Sequence, residues 1–102
     1  MQITEQVEGT IASLALNGRF DFHCHREFRV AYEALLGRPE IHEILIDFRE
    51  VEYLDSSALG MLLLLREKAT AGGKKVALAN LTGTVKQVLD IANFGKLFTI
   101  RA

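Results

Sequence analysis

Apolar and polar residues alternate along the first part of the chain, a pattern typical of half-buried β-strands. Ile3 and Val7 fall on one side of the first run, and the polar residues at positions 2, 4 and 6 fall on the other. A second run, TIASLALNG, sets larger apolar residues among small ones and ends at an Asn-Gly pair. Because Glu8 and Gly9 separate the two runs, the pattern predicts a β-hairpin.

The apolar period then changes from that of a strand to that of a helix. In FHCHREFRVAYEALLG, the residues Phe28, Tyr32 and Leu35 follow the spacing of one helical face, and Cys24 extends this face backwards. Asp21 precedes the segment as a candidate N-cap, and a Gly-Arg-Pro sequence follows it. The segment is therefore predicted to be an amphipathic packing helix.

Strands and helices alternate through the rest of the chain. IHEILIDF and VALAN are nearly continuous apolar runs, and the first is predicted to be a parallel strand buried on both faces. One helix is predicted from about Ser57 to Thr70, and another within LTGTVKQVLDIANFG, with Thr82 or Thr84 as its cap and Gly95 at its end. KLFTI would form the last strand. The predicted order is β-β-α-β-α-β-α-β, an α/β fold with a small mixed sheet packed against helices.

Length and composition narrow the class of protein. The 102 residues fit a single domain, predicted to span 1–102. The formal net charge is −1, which provides no basic field for nucleic acid or an anionic membrane. A single cysteine excludes an internal disulfide, and the N-terminal residues lack the features of an export signal. A cytoplasmic protein that binds neither nucleic acid nor membrane is expected.

The residues that could carry catalysis or bind a metal are scattered. His23 and His25 stand two apart, and on a helix they would point in nearly opposite directions. No zinc-ligand spacing, GxSxG motif or phosphate-binding loop occurs. The sequence therefore predicts no catalytic residues, no metal and no cofactor.

The segment LDSSALG, residues 54–60, joins a predicted strand to a predicted helix. Asp and Ser are favoured N-caps, so the segment can be interpreted as a helix start alone. The helix that follows, however, is apolar on all sides from Ala58 to Leu65. Such a turn is either deeply buried or faces a partner, and it lies directly beside Ser56 and Ser57.

These residues resemble a known family. The stretch IDFREVEYLDSSALGMLLLLREKA, followed by GGKKVALANLTGTVKQVLDIANFGKLFTI, is similar to STAS-domain anti-sigma factor antagonists over nearly the whole chain. In the family's motif, Asp55 matches the acid and Ser56 the phosphoacceptor, and Ser57 matches the second hydroxyl. Leu59 matches the apolar residue before glycine, whereas alanine stands at 58 in place of the usual glycine.

The resemblance implies a regulator that catalyses nothing itself. Unphosphorylated, it would bind an anti-sigma factor with a GHKL-type serine kinase fold, and phosphorylation of Ser56 would release it. A PPM-type serine phosphatase would restore binding. The residues expected to form the partner-binding surface are Asp55, Ser56, Ser57, Leu59, Met61 and Leu62.

Two other functions are left open by the sequence. In the first, the chain is a STAS-like accessory subunit of a transport complex, for example in lipid transport, and the motif serine contacts a transporter without being phosphorylated. In the second, the domain itself binds or hydrolyses a nucleotide.

Overall fold

Within residues 1–101, the fold consists of a five-stranded sheet, three α-helices and two short 3₁₀ turns. The structure is a computed structural model, and it describes residues 1–101. The strands are β1 (Gln2–Glu8), β2 (Ile11–Phe20), β3 (Glu43–Leu54), β4 (Lys75–Ala79) and β5 (Thr99–Arg101). The helices are α1 (His25–Leu36), α2 (Ser56–Ala71) and α3 (Gly83–Ile91), with 3₁₀ turns at Phe22–Cys24 and Phe94–Lys96. The predicted α/β class and element order are confirmed.

The strands lie in the order β1-β2-β3-β4-β5, so every strand pairs with its neighbour in sequence. β1 is antiparallel to β2, and the three remaining pairs are parallel. Gly9 connects β1 to β2 with a φ of 61°, a left-handed conformation that glycine adopts without steric strain. Because β2 to β5 run in one direction, their carboxyl ends meet at one edge of the sheet. Helices α1, α2 and α3 each begin on the carboxyl side of a strand, at this edge.

One face of the sheet forms the core with all three helices. Alternate residues of β2 and β3 point into it and are almost completely buried: Ala12, Leu14, Leu16, Ile44, Ile46 and Phe48. The helices contribute side chains such as Phe28, Leu62 and Leu89 to the same cluster. The intervening residues of β3 are only half-buried, so the prediction that this strand is buried on both faces is wrong. A single apolar face is sufficient because the helices pack against that face alone.

Several element boundaries differ from those predicted. β3 continues through REVEYL to Leu54, and its second half extends beyond β4. The residues after Asp21 first form a 3₁₀ turn, which delays the start of α1 to His25. α3 ends at Ile91 because the left-handed Asn93 breaks the helix well before Gly95. β5 begins at Thr99 rather than within KLF, since Lys96 ends the second 3₁₀ turn and Leu97 is its C-cap.

Candidate functional site

The start of α2 is fixed by a carboxylate and by the neighbouring strand. Asp55 has an extended backbone, and its Oδ1 accepts a hydrogen bond of 3.0 Å from the Ala58 backbone N–H. This bond satisfies one of the N–H groups that a helix leaves unpaired in its first turn. The backbone N–H of Asp55 donates to the carbonyl of Phe20 at 3.3 Å, which ties the start of α2 to the end of β2. Asp55 is therefore the cap, and the adjacent serines are not needed for that role.

The two serines differ in accessibility. Ser56 is the first residue of α2 and is exposed, whereas Ser57 is half-buried. Gly60 lies one turn after Ser56 and is also exposed, and apart from its own stretch of helix no atom lies within 4 Å of the place where a Cβ would stand. The surface above Ser56 is therefore open to a partner or an enzyme. Of the two hydroxyls, that of Ser56 is the more accessible to modification.

Helix α2 presents one buried and one exposed stripe, although its sequence is apolar on nearly all sides. The buried stripe follows helical spacing and consists of Ala58, Met61, Leu62, Leu65 and Ala69. The exposed stripe carries Ser56 and Gly60 and continues into Leu63 and Leu64, which are 40% and 38% exposed. Two adjacent leucines left this open on a helix form an apolar strip that leads away from Ser56.

The residues predicted to contact a partner divide along these stripes. Asp55 and Ser57 lie beside Ser56 and are partly accessible, and Leu59 is half-buried. Met61 and Leu62 point into the core, so as the chain is folded they offer almost no area to a partner. The sequence prediction has to be corrected at these two positions. Their place at the surface is taken by the leucines at 63 and 64, because the helix turns by about 100° per residue.

A second helix start lies beside the first. The 3₁₀ turn that precedes α1 is capped by Asp21, whose Oδ1 accepts from the His23 backbone N–H at 3.0 Å. Arg19 Nε lies 3.7 Å from Asp21 Oδ2, and the Cys24 thiol donates to the Arg19 carbonyl at 3.0 Å. Partial burial of the carboxyl raises its pKa, but the hydrogen bond from His23 and the nearby His23 and Arg19 side chains outweigh this effect. The net result is an Asp21 pKa below its usual value.

Two aromatic residues near this edge were not among the predicted site residues. Phe22 follows the Asp21 cap and is 68% exposed, and Tyr53 near the end of β3 is partly exposed. The guanidinium of Arg19 stacks over the Tyr53 ring at 4.3 Å from its centroid. Phe22 could have been found from the sequence, because it is a large apolar residue that falls off the stripe of α1. Tyr53 could not have been found in this way, because it lies near the site only through its pairing with Arg19 of β2, and this pairing is visible only in the folded sheet.

A separate cavity of about 610 Å³ opens near the carboxyl ends of β4 and β5. It is lined by Arg49, Asn80, Leu81, Thr82, Lys86, Asp90, Ile100 and Arg101. Lys86 Nζ is paired with Asp90 at 2.7 Å, and Arg101 forms a two-bond ion pair with Glu43. The cavity contains none of the predicted site residues. In residues 1–101, no helix is both long and apolar enough to cross a membrane.

Comparison with known proteins finds STAS-domain relatives over nearly the whole chain. A family model described as "Mlab, STAS domain" matches residues 3–100. A STAS-domain containing protein of Pseudomonas aeruginosa is 44% identical over 93 residues, which cover 91% of this chain and 90% of that protein. An anti-sigma F factor antagonist of Paenibacillus polymyxa is 22% identical, over 98% of this chain and 86% of its own length.

Solved structures share the fold at low sequence identity. An anti-sigma factor antagonist from Mycobacterium paratuberculosis superposes with a TM-score of 0.86 at 16% identity, covering 98% of this chain and 84% of that one. A sulfate transporter family protein from Wolinella succinogenes gives a TM-score of 0.77 at 15% identity, with 94% and 80% covered. The fold is therefore found both in antagonists and in a transporter-family protein.

Proposed function

Because this chain belongs to the STAS domain family, we propose that it is a partner-switching regulator of the anti-sigma factor antagonist type. In this proposal it binds a protein partner when Ser56 is unmodified and releases it when Ser56 is phosphorylated. The observation that carries the proposal is the separation of roles at the start of α2. Asp55 makes the cap hydrogen bond, and Ser56 stands next to it, exposed and beside an apolar strip.

The fold would tolerate a phosphate on Ser56. A phosphoserine carries a charge of about −1.5 to −2 near neutral pH, and the first turn of a helix favours negative charge. The cap bond is made by the neighbouring residue, so modification would not remove it. Phosphorylation is therefore expected to leave the free energy of unfolding almost unchanged.

The same phosphate would be unfavourable inside an interface. It would be placed next to the carboxylate of Asp55, at the end of an apolar strip. Burying a dianion there against a partner would require desolvation with no compensating cation on this chain's own strip. Modification would thus weaken the complex and spare the fold, as a reversible switch requires.

The proposed partners are those that the resemblance to anti-sigma factor antagonists implies. A serine kinase that uses ATP, of the GHKL type found in anti-sigma factors, would both bind the chain and modify Ser56. A PPM-type serine phosphatase would remove the phosphate. Because the kinase would need ATP, the proposal includes a cytoplasmic location, and the chain itself would have no catalytic role.

The experiment that tests this function locates the phosphate. The purified chain is incubated with ATP, Mg²⁺ and an extract of the cells that naturally produce it, and its peptides are analysed by mass spectrometry. Phosphate is expected on Ser56 in the wild type and in the matched control Ser57→Ala, and no phosphate in Ser56→Ala. Phosphate only on Ser57, or none on the wild type, would contradict the assignment.

A second candidate function is that of an accessory subunit in a transport complex. It is supported by the shared fold of the sulfate transporter family protein. In that case the region around Ser56 would bind a transporter component without being phosphorylated. Stable co-purification with permease or ATPase subunits, together with an unmodified Ser56 in growing cells, would favour this function over the first.

A further inference from the structure

We infer that Phe22 is an anchor of the partner interface, which inserts into an apolar pocket of the kinase that modifies Ser56. This inference rests on the proposed function, because it assigns a contact to the partner that must reach the Ser56 hydroxyl. It adds a residue from a different element, the 3₁₀ turn Phe22–Cys24 that follows β2.

The sheet brings together the two segments that carry Phe22 and Ser56. Phe20 of β2 pairs with Leu54 of β3, and each of the two residues in question stands two positions beyond that pair. The hydrogen bond from Asp55 N–H to the Phe20 carbonyl holds the two segments together after the strands end. The path from the Cα of Ser56 to the Cα of Phe22 runs through one peptide unit, this hydrogen bond and two further peptide units. The two Cα atoms therefore lie on the order of 10 Å apart.

A partner that reaches Ser56 would also cover Phe22. A protein interface of standard size buries about 800 Å² on each side, equivalent to a disc of roughly 16 Å radius. A disc centred on Ser56 therefore includes Phe22 in one direction and the strip at Leu63 and Leu64 in another. Because of this overlap, the occupant of the Phe22 surface is taken to be the Ser56 partner rather than a separate protein.

Phe22 has the properties of an energetically important contact. It is 68% exposed, so the free protein leaves most of its ring in water. Its backbone is held by the Asp21 cap to His23 N–H and by a 3.0 Å hydrogen bond from Cys24 N–H to the Asp21 carbonyl. An aromatic side chain on a fixed backbone has only two rotatable bonds to immobilise, so it loses little entropy on binding and gains the full benefit of burial.

Polar residues flank Phe22 in the chain. The His23 ring lies edge-on to the Phe22 ring with the centroids 6.1 Å apart. Asp21, which precedes Phe22, forms an ion pair of 3.7 Å with Arg19, and Arg19 also stacks on Tyr53. An apolar centre with a polar and aromatic surround is the usual composition of a protein-binding hot spot. The chemistry fits a protein pocket with apolar walls and a polar rim.

The inference is tested by the rate at which Ser56 is phosphorylated. Wild type, Phe22→Ala, Phe22→Tyr and the control Ile91→Ala are each incubated with ATP, Mg²⁺ and extract from native cells that lack the endogenous gene. Ile91 is a suitable control because it is 83% exposed and ends α3, a helix that runs away from the edge carrying Ser56. Initial rates are measured by mass spectrometry of the Ser56 peptide.

Phe22→Ala is expected to lower the initial rate at least about tenfold, while Phe22→Tyr and Ile91→Ala stay within about twofold of the wild type. Melting curves check that each variant is folded, and Phe22→Gln replaces the alanine variant if that variant melts earlier than the wild type. Equal rates for wild type and Phe22→Ala would overturn the anchor role and leave the proposed function intact. If the wild type acquires no phosphate on Ser56, the proposed function fails and the anchor role fails with it.

Discussion

Alanine substitution should mainly lower stability at Leu62 and mainly weaken partner binding at the adjacent Leu63. The side chain of Leu62 is completely buried between α2 and the sheet, whereas 40% of Leu63 is exposed on the strip beside Ser56. Replacing Leu62 with alanine removes buried methyl groups and leaves a cavity, and such changes cost about 3 to 5 kcal/mol of unfolding free energy. Replacing Leu63 removes partly hydrated atoms with no enclosed cavity, so the expected loss is at most about 1 kcal/mol.

Urea denaturation followed by far-UV circular dichroism measures both values. Thermal melting gives a second measure of the same losses. In a domain of this size, a loss of about 3 kcal/mol lowers the melting temperature by roughly 12 to 24 °C, which is well outside experimental error. Binding of the folded protein to the Ser56 partner gives the complementary measurement. Leu63→Ala should weaken that binding, whereas Leu62→Ala should leave it unchanged at a temperature where the variant is still folded.

Either of two results would refute the reasoning. Similar losses of stability for both variants would mean that α2 is rotated relative to the sheet, or that its strip is covered by something else. A normal partner affinity for Leu63→Ala would remove the leucine strip from the interface, even if the stability difference were as expected. The two measurements therefore test the packing of α2 and its binding role independently.

Three further predictions concern charged or polar residues. Asp55→Ala should lower the free energy of unfolding by about 1 kcal/mol, because it removes the cap bond to Ala58. Urea denaturation would measure this loss against the matched variant Asp55→Asn, and an equal loss in both variants would indicate an effect of charge rather than of capping. Ser56→Asp should weaken the partner complex at least about tenfold, or roughly 1.4 kcal/mol, while Ser56→Ala binds normally; equal affinities by titration calorimetry would exclude Ser56 from the switch. Because the Asp21 pKa is lowered in the folded state, the ionised carboxyl stabilises the fold above its unfolded pKa, and this contribution is lost as the pH falls through the folded pKa. The melting temperatures of wild type and Asp21→Asn should therefore converge in acid, and a difference that stays constant with pH would contradict this.

The order of elements could be predicted from the sequence because apolar periods and turn residues are local signals. The Gly9 turn, the α1 stripe with Phe28 and Tyr32, and the runs of β3 and β4 all depend on residues close together in the chain. The failures occurred where packing overrides local pattern. Half-burial of alternate residues in β3 depends on all helices packing against one face, and that arrangement is not encoded within the strand itself.

The candidate site shows the same limit more sharply. The motif identified Ser56 and its neighbours correctly as the start of a helix, since Asp55 caps α2. The orientation of α2 could not be read from it, because a stretch of leucines has no clear apolar stripe and the sheet decides which leucines are covered. For that reason Met61 and Leu62 were expected at the surface, although they lie in the core.

The near-uniform apolar character of α2 can itself be explained by the two demands on this helix. One stripe must fill the core between α1 and the sheet, and the opposite stripe stays available beside Ser56. In the proposed function, Leu63 and Leu64, which are 40% and 38% exposed, are the apolar side chains of this stripe that a partner would cover. The charge that would end this bound state belongs at the N-terminus of the same helix, where the fold tolerates it and the interface does not. In the proposed function, binding would be switched at one end of α2 while the buried stripe keeps the domain folded.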